Sequence, residues 1–156
     1  MKPYADTNFF TRYYLEMAQS PLVAGMAERA ERRGAPALPI SWLHRIELIN
    51  AFQLAIFQGR GVGQKWVTPE QAAAALAVFR DDLEQQVLVQ AVALATADLA
   101  RQSEDLSLRH TAKHGFRTYD LLHVSSALLL GCDSFWSFDP KATRLAELEG
   151  LEVLRA

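Results

Sequence analysis

Short apolar runs alternate along the chain with longer stretches whose apolar positions recur every three to four residues. The first rhythm predicts strands at residues 2–5, at 37–41 (ALPIS), at 133–138 (DSFWSF) and at 151–154 (LEVL). The second predicts helices. One runs from about Asn8 to Ala18. A second, SPLVAGMAERAERRG, opens with a Ser20 cap, has Pro21 in its first turn and stops at Gly34. The third, 42–58, is apolar nearly all round and is predicted to be buried. TPEQ (68–71) is a capping box that opens an alanine-rich helix to about Glu84. VLVQAVAL (87–94) suits either a strand or a helix lead-in. Thr96 is read as the cap of a helix over 96–113, and Thr118 as the cap of one ended by Gly131. Asp139-Pro140 starts a last helix, which ends at Gly150. Strands joined through helices imply an α/β fold with a parallel sheet.

Composition narrows the class. The 156 residues suit a single domain, and half of them are hydrophobic and 22% charged, as in a soluble globular protein. A net charge of −2 means that any nucleic acid must be met by local basic patches. The lone Cys132 excludes an internal disulfide and a cysteine-rich zinc site, and reads as a small core residue. Residues 2–10 lack the apolar region of a secretory signal, and Leu121–Cys132 is too short to span a bilayer, so the cytoplasm is the expected location.

Four acids carry the candidate chemistry. In parallel sheets ligands sit beyond the carboxyl ends of the strands, where Asp6 and Asp139 both fall. Each would also serve as a helix cap, and Asp120 lies in a first helical turn where acids are favoured anyway. Glu47 has no such explanation. It lies inside the most apolar helix, with Leu43, Asn50 and Leu54 on its face, so it needs a cation, a distant arginine or a proton. If the four converge, their repulsion demands a counter-ion, and all-oxygen ligands suit Mg²⁺ or Mn²⁺ over zinc. By the same logic Asp120→Asn should leave the metal-free protein no less stable.

Other chemistries find less support. His110 and His114 have the spacing of a helical metal pair but stand beside Arg109, Lys113 and Arg117, which reads as a solvated basic patch. His123, one turn after Asp120, reads as a buried core histidine, with a hydrogen bond at the site as the alternative. There is no phosphate loop ahead of a Lys-Ser/Thr pair and no G-x-S-x-G elbow, and GRGVG lacks a strand-to-helix context.

The segments YADTNFF (4–10), ELINAF (47–52), RTYDLLHVSSALLLGCDSF (117–135) and SFDPKATRLAELEGLEVL (137–154) together resemble the PIN-domain family, and within it the VapC-type toxins of toxin–antitoxin pairs. Residues 55–115 carry little of the resemblance, and GRGVGQKWVTPEQ looks like an extended loop. The resemblance implies one PIN-like domain over 1–156, a three-layer α/β/α sandwich with a central parallel sheet, acting as an Mg²⁺- or Mn²⁺-dependent ribonuclease. Asp6, Glu47, Asp120 and Asp139 would be the catalytic and metal-binding cluster. Asn8 and Ser137 would support it, with Ser137 standing where the family often has threonine. It further implies a homodimer and a small antitoxin that fills the active-site groove. Arg109, Lys113 and Arg117, close before Asp120, are candidates for steering RNA phosphates, as are Arg60 and Lys65. A phosphatase of small phosphoesters, or a catalytically silent RNA- or partner-binding module, is the alternative. Asn8 stands where the haloacid-dehalogenase pattern needs a second aspartate, and a silent site has no use for Glu47.

Overall fold

The computed structural model describes residues 1–15, 20–58 and 67–153. The chain forms two compact units, Met1–Asp6 with Ala93–Ala156, and Thr7–Val92. Both are α/β with parallel strands.

The first unit holds β1 (Pro3–Ala5), β4 (Ser134–Trp136) and β5 (Glu152–Val153), in the order β1-β4-β5. All pairings are parallel, with Pro3 opposite Ser134, Ala5 opposite Trp136 and Phe135 opposite Val153. Its helices are α5 (Thr96–Leu106), α6 (Ala112–His114), α7 (Thr118–Leu129) and α8 (Pro140–Leu148). Tyr4 and Phe135, neighbours in register, stack with ring centroids 5.6 Å apart. Around them Leu106, Phe116, Leu121, Val124, Ala127, Leu145 and Leu151 complete one core. Removing such side chains from water stabilises by about 1.5–3 kcal/mol each. Cys132 belongs to this core, and burial pushes its thiol up to about 11, so it is an inert packing residue.

Helix ends are set by chain chemistry. Gly131 ends α7 at φ 64°, where its N–H reaches Leu128 O and the Cys132 N–H reaches Ala127 O. A side chain would strain that left-handed turn, which feeds straight into β4. Gly150 closes α8 in the same way ahead of β5. The predicted helix over 96–113 is broken by a π-helical segment, Ser107–Thr111, between α5 and α6. Thr96 and Thr118 are first helical residues; the caps are Ala95 and Arg117.

The second unit pairs β2 (Leu38–Ile40) with β3 (Val89–Ala91) in parallel, so VLVQAVAL contains a strand. Its helices are α1 (Thr7–Tyr14), α2 (Ser20–Arg32), α3 (Trp42–Gln58) and α4 (Pro69–Gln85). The Thr68 capping box forms as predicted, with Gln71 N–H on Thr68 Oγ1 and Thr68 N–H on Gln71 Oε1. Ser20 is the first residue of α2. Its hydroxyl meets the carbonyls of Arg12 at 2.5 Å and Leu15 at 2.8 Å, tying α2 to the end of α1. Residues 16–18, expected to extend α1, and the loop residues Arg60 and Lys65 lie outside the described residues.

α3 corrects the sequence reading. Its boundaries are as predicted, yet only Leu43, His44, Leu48 and Phe52 are buried. Trp42, Ile46 and Phe57 are 44%, 61% and 67% exposed, and Ile49 and Leu54 are exposed too. An all-round apolar sequence states what a helix would bury, not how many of its faces the rest of the chain covers. Glu47 is accordingly half-buried and Asn50 exposed.

Candidate active site

Parallel register brings the ends of β1 and β4 to one edge. The Asp6 N–H donates to Trp136 O at 3.0 Å, which continues the ladder one residue past the strand. Asp6 therefore faces Ser137. The buried Asp6 carboxylate, only 4% exposed, accepts the Ser137 hydroxyl at 2.5 Å. The same Ser137 oxygen accepts the Asp139 N–H at 2.9 Å. One hydroxyl thus fixes both the first acid and the turn that carries the second.

Asp139 caps α8, its Oδ1 accepting the Lys141 N–H at 2.8 Å, as the Asp-Pro pattern predicts. Its Oδ2 accepts from Arg117 Nη2. Burial opposes ionisation of Asp139, but the Lys141 amide and the Arg117 guanidinium outweigh it and hold the carboxyl below the usual carboxylate range. Asp120 is buried in the first turn of α7. Its Oδ2 takes the Arg117 backbone N–H at 2.8 Å, and its Oδ1 takes Arg117 Nη2 at 3.1 Å. Hydrogen bonds to Asp120, then to Asp139, raise the Arg117 pKa further above its already high value, so the guanidinium is a permanent cation here.

A continuous chain of polar contacts results: Asp6, Ser137, Asp139, Arg117, Asp120. All its acceptors are oxygens, the donor type that hard divalent cations prefer. Among the described residues no group of three or more His, Cys, Asp or Glu side chains is placed to hold a metal ion as they stand. The positive charge between Asp120 and Asp139 belongs to Arg117. Oxygen donors are the kind that Mg²⁺ or Mn²⁺ takes, and Asp6, Asp120 and Asp139 are the carboxylates that this unit brings into the chain of contacts.

Glu47 and Asn8 belong to the other unit. Glu47 Oε2 accepts the Thr7 hydroxyl at 2.7 Å, which links α3 to the start of α1. Asn8 is half-buried on α1, and its carbonyl accepts from Arg12 at 2.8 Å.

The basic segment divides. Arg109 forks onto Glu149 at 2.7 and 3.0 Å and reaches Asp105 at 2.8 Å, while His110 Nε2 lies 2.6 Å from the same Glu149. Burial works against ionisation of Glu149, yet Arg109 and then His110 hold its carboxyl low. Arg109 and His110 therefore fasten the π-helical segment to the end of α8. His114 stacks on Phe116, and Lys113 is exposed to solvent. His123 is a core histidine whose Nδ1 lies 2.9 Å from the Tyr4 hydroxyl. The sequence reading missed the Thr7–Glu47 contact and the bridging role of Arg117. The polar run Asp6-Thr7-Asn8 and the Arg-x-x-Asp spacing were the available signals.

Parallel strands joined through helices, with acids at the strand tips, make the chain α/β, the fold class that the PIN-domain resemblance implies. Solved structures share this fold. VapC20 of Mycobacterium tuberculosis, a Sarcin-Ricin loop cleaving toxin, matches at a TM-score of 0.61 with 20% identity, over 99% of this chain and 100% of its own. FitAcB from Neisseria gonorrhoeae matches at 0.56 with 14% identity, over 98% of this chain and 96% of its own. At such identities the likeness establishes the fold. No protein-family model matches the sequence, and no curated protein matches it either.

Proposed function

We propose that the chain is an Mg²⁺- or Mn²⁺-dependent ribonuclease, the toxin of a VapBC-type pair, with Asp6, Glu47, Asp120 and Asp139 as its catalytic acids. The observation that supports this reading is the polar chain running from Asp6 through Ser137 and Asp139 to Asp120 at a strand-tip edge. Asp6, Asp120 and Asp139 would hold a divalent cation, which when bound would acidify a water and offset the charge that develops on phosphate. Ser137 orients the Asp6 carboxylate and fixes the Asp139 backbone, so their lone pairs are aimed before any ligand arrives. Asp120 and Asp139 each spend one oxygen on a backbone N–H and offer the other. Glu47, which accepts the Thr7 hydroxyl, is the proposed fourth acid, and Asn8 is proposed in a supporting role.

Lys113 and Arg117 are the cations proposed to meet RNA, while Arg109 would have to leave Glu149 to take part. A small antitoxin and a second copy of the chain are the proposed partners, and the cytoplasm the proposed location. Among the described residues no helix is long and apolar enough to cross a membrane.

Incubation with a sarcin–ricin-loop hairpin, a tRNA pool and a messenger RNA, with Mn²⁺ or EDTA, tests the reading. Cleavage of one of them that EDTA abolishes is the expected result. Turnover of aryl phosphates without RNA cleavage would favour the phosphatase, and RNA binding without cleavage the silent module.

A further inference from the structure

Arg117 does more than either of its ordinary roles requires. As the residue before α7 it needs only its backbone N–H, which Asp120 Oδ2 accepts. As a surface cation it would extend into water. Its side chain is 61% exposed along its length, yet its head folds back onto two acids. Nε and Nη2 cover both oxygens of Asp120, at 3.3 and 3.1 Å, and Nη2 also takes Asp139 Oδ2. Asp139 needs no such partner to cap α8, because that task uses Oδ1. The oxygens under the guanidinium, Asp120 Oδ1 and Asp139 Oδ2, are those that backbone capping leaves available.

We infer that Arg117 is the protein's own counter-cation for Asp120 and Asp139, holding the pair in the metal-free state and withdrawing when a divalent cation enters. The inference rests on the metal-dependent reading above and adds to it a competition: the guanidinium and the metal cannot use the same lone pairs together. A side chain this exposed has room for its head to leave. The planar fork suits the task better than an ammonium would, because it spans both carboxylates at once. If the paired form predominates about fivefold, equal to roughly 1 kcal/mol, an entering cation sees its affinity lowered by that factor.

The test measures Mn²⁺ affinity by calorimetry and melting temperature with and without Mn²⁺ for the wild type, Arg117→Gln and Arg117→Lys. Arg117→Gln should melt lower in EDTA and half-saturate at about fivefold less Mn²⁺. Arg117→Lys, which keeps the charge but not the fork, should fall between. An ordinary structural ion pair would weaken the metal-free fold as well but leave the Mn²⁺ affinity unchanged or reduced, and that result overturns the inference. So does Arg117→Lys matching the wild type while Arg117→Gln binds more tightly, since net charge alone would then account for the change. If neither the wild type nor Arg117→Gln binds Mn²⁺, the metal reading itself fails and the inference with it. Cleavage of RNA in EDTA identifies that case independently.

Discussion

Asp120→Asn is the most informative single substitution, because the structure reverses what charge counting suggests. Acids that crowd together gain when one is neutralised. Here, however, the crowding is already answered by Arg117. Asparagine offers one acceptor oxygen and two donors in place of two acceptors. If its oxygen keeps the Arg117 backbone N–H, its amide nitrogen faces Arg117 Nη2, donor against donor, at a position where the two atoms now lie 3.1 Å apart. If it flips, the backbone bond is lost instead. Either way one charge-assisted contact on a buried carboxylate disappears. Arg117 is largely solvated, so the loss is discounted to about 1–2 kcal/mol. For a chain of this size that lowers the melting temperature by about 3–6 °C.

The assay is a pair of melts, in EDTA and in saturating Mn²⁺, beside RNA cleavage. The mutant should melt lower in EDTA and gain less from Mn²⁺, because that gain depends on affinity for the folded state. Cleavage should fall by orders of magnitude, since an amide is a poor ligand for a hard cation. A mutant as stable as the wild type in EDTA would refute the energetic account of Arg117. A less stable mutant that still cleaves RNA normally would make Asp120 a structural residue only.

Three further outcomes follow from the same contacts. Ser137→Ala should cost about 1–2 kcal/mol by chemical denaturation, through the lost contacts to Asp6 and Asp139, and should depress cleavage; Ser137→Thr should restore both. Glu149→Gln should destabilise by about 1–2 kcal/mol near neutral pH and flatten the acid limb of the stability profile. The sign follows from the lowered carboxyl of Glu149: its contribution is complete above the unfolded value of about 4.3 and is lost as pH falls through the folded one, so the two proteins should converge in acid. Lys113→Glu should weaken RNA binding and reduce the salt slope by about one in filter-binding measurements, and an unchanged slope would make Lys113 a solvated surface residue.

Local signals read well in the sequence, and tertiary ones did not. The Thr68 capping box, the Asp139-Pro140 helix start and the stops at Gly131 and Gly150 each depend on residues within a few positions, and each forms. Placing Asp6 and Asp139 at strand tips needed only the alternation of strands and helices. The partners of Arg109 and Arg117 were out of reach. Glu149 is 40 residues from Arg109, and Asp139 is 22 from Arg117, so a basic run with helical spacing looked solvated when two of its cations were pinned by distant acids. The apolar α3 misled for the reason opposite to the one that makes periodicity useful. Composition recorded its hydrophobic content, while burial depended on how much of that surface the rest of the chain could cover.

The structural and chemical readings of the acids, set against each other at the level of sequence, turn out to use different atoms. A carboxylate has two oxygens and about four acceptor sites. Asp139 caps α8 with Oδ1 and meets Arg117 with Oδ2. Asp120 receives the backbone with Oδ2 and leaves Oδ1 to the guanidinium alone. Capping therefore orients the carboxylate without exhausting it, and in each case the oxygen turned away from the backbone amide also meets the guanidinium, which at Asp120 reaches the anchored oxygen too. A helix start beside a strand tip gives an acid one anchored oxygen and one presented oxygen. That makes such a position a good place to hold a ligand for the same reason that it is a good place to cap, and a substitution that preserves the anchor while altering the presented atom is the one that separates the two.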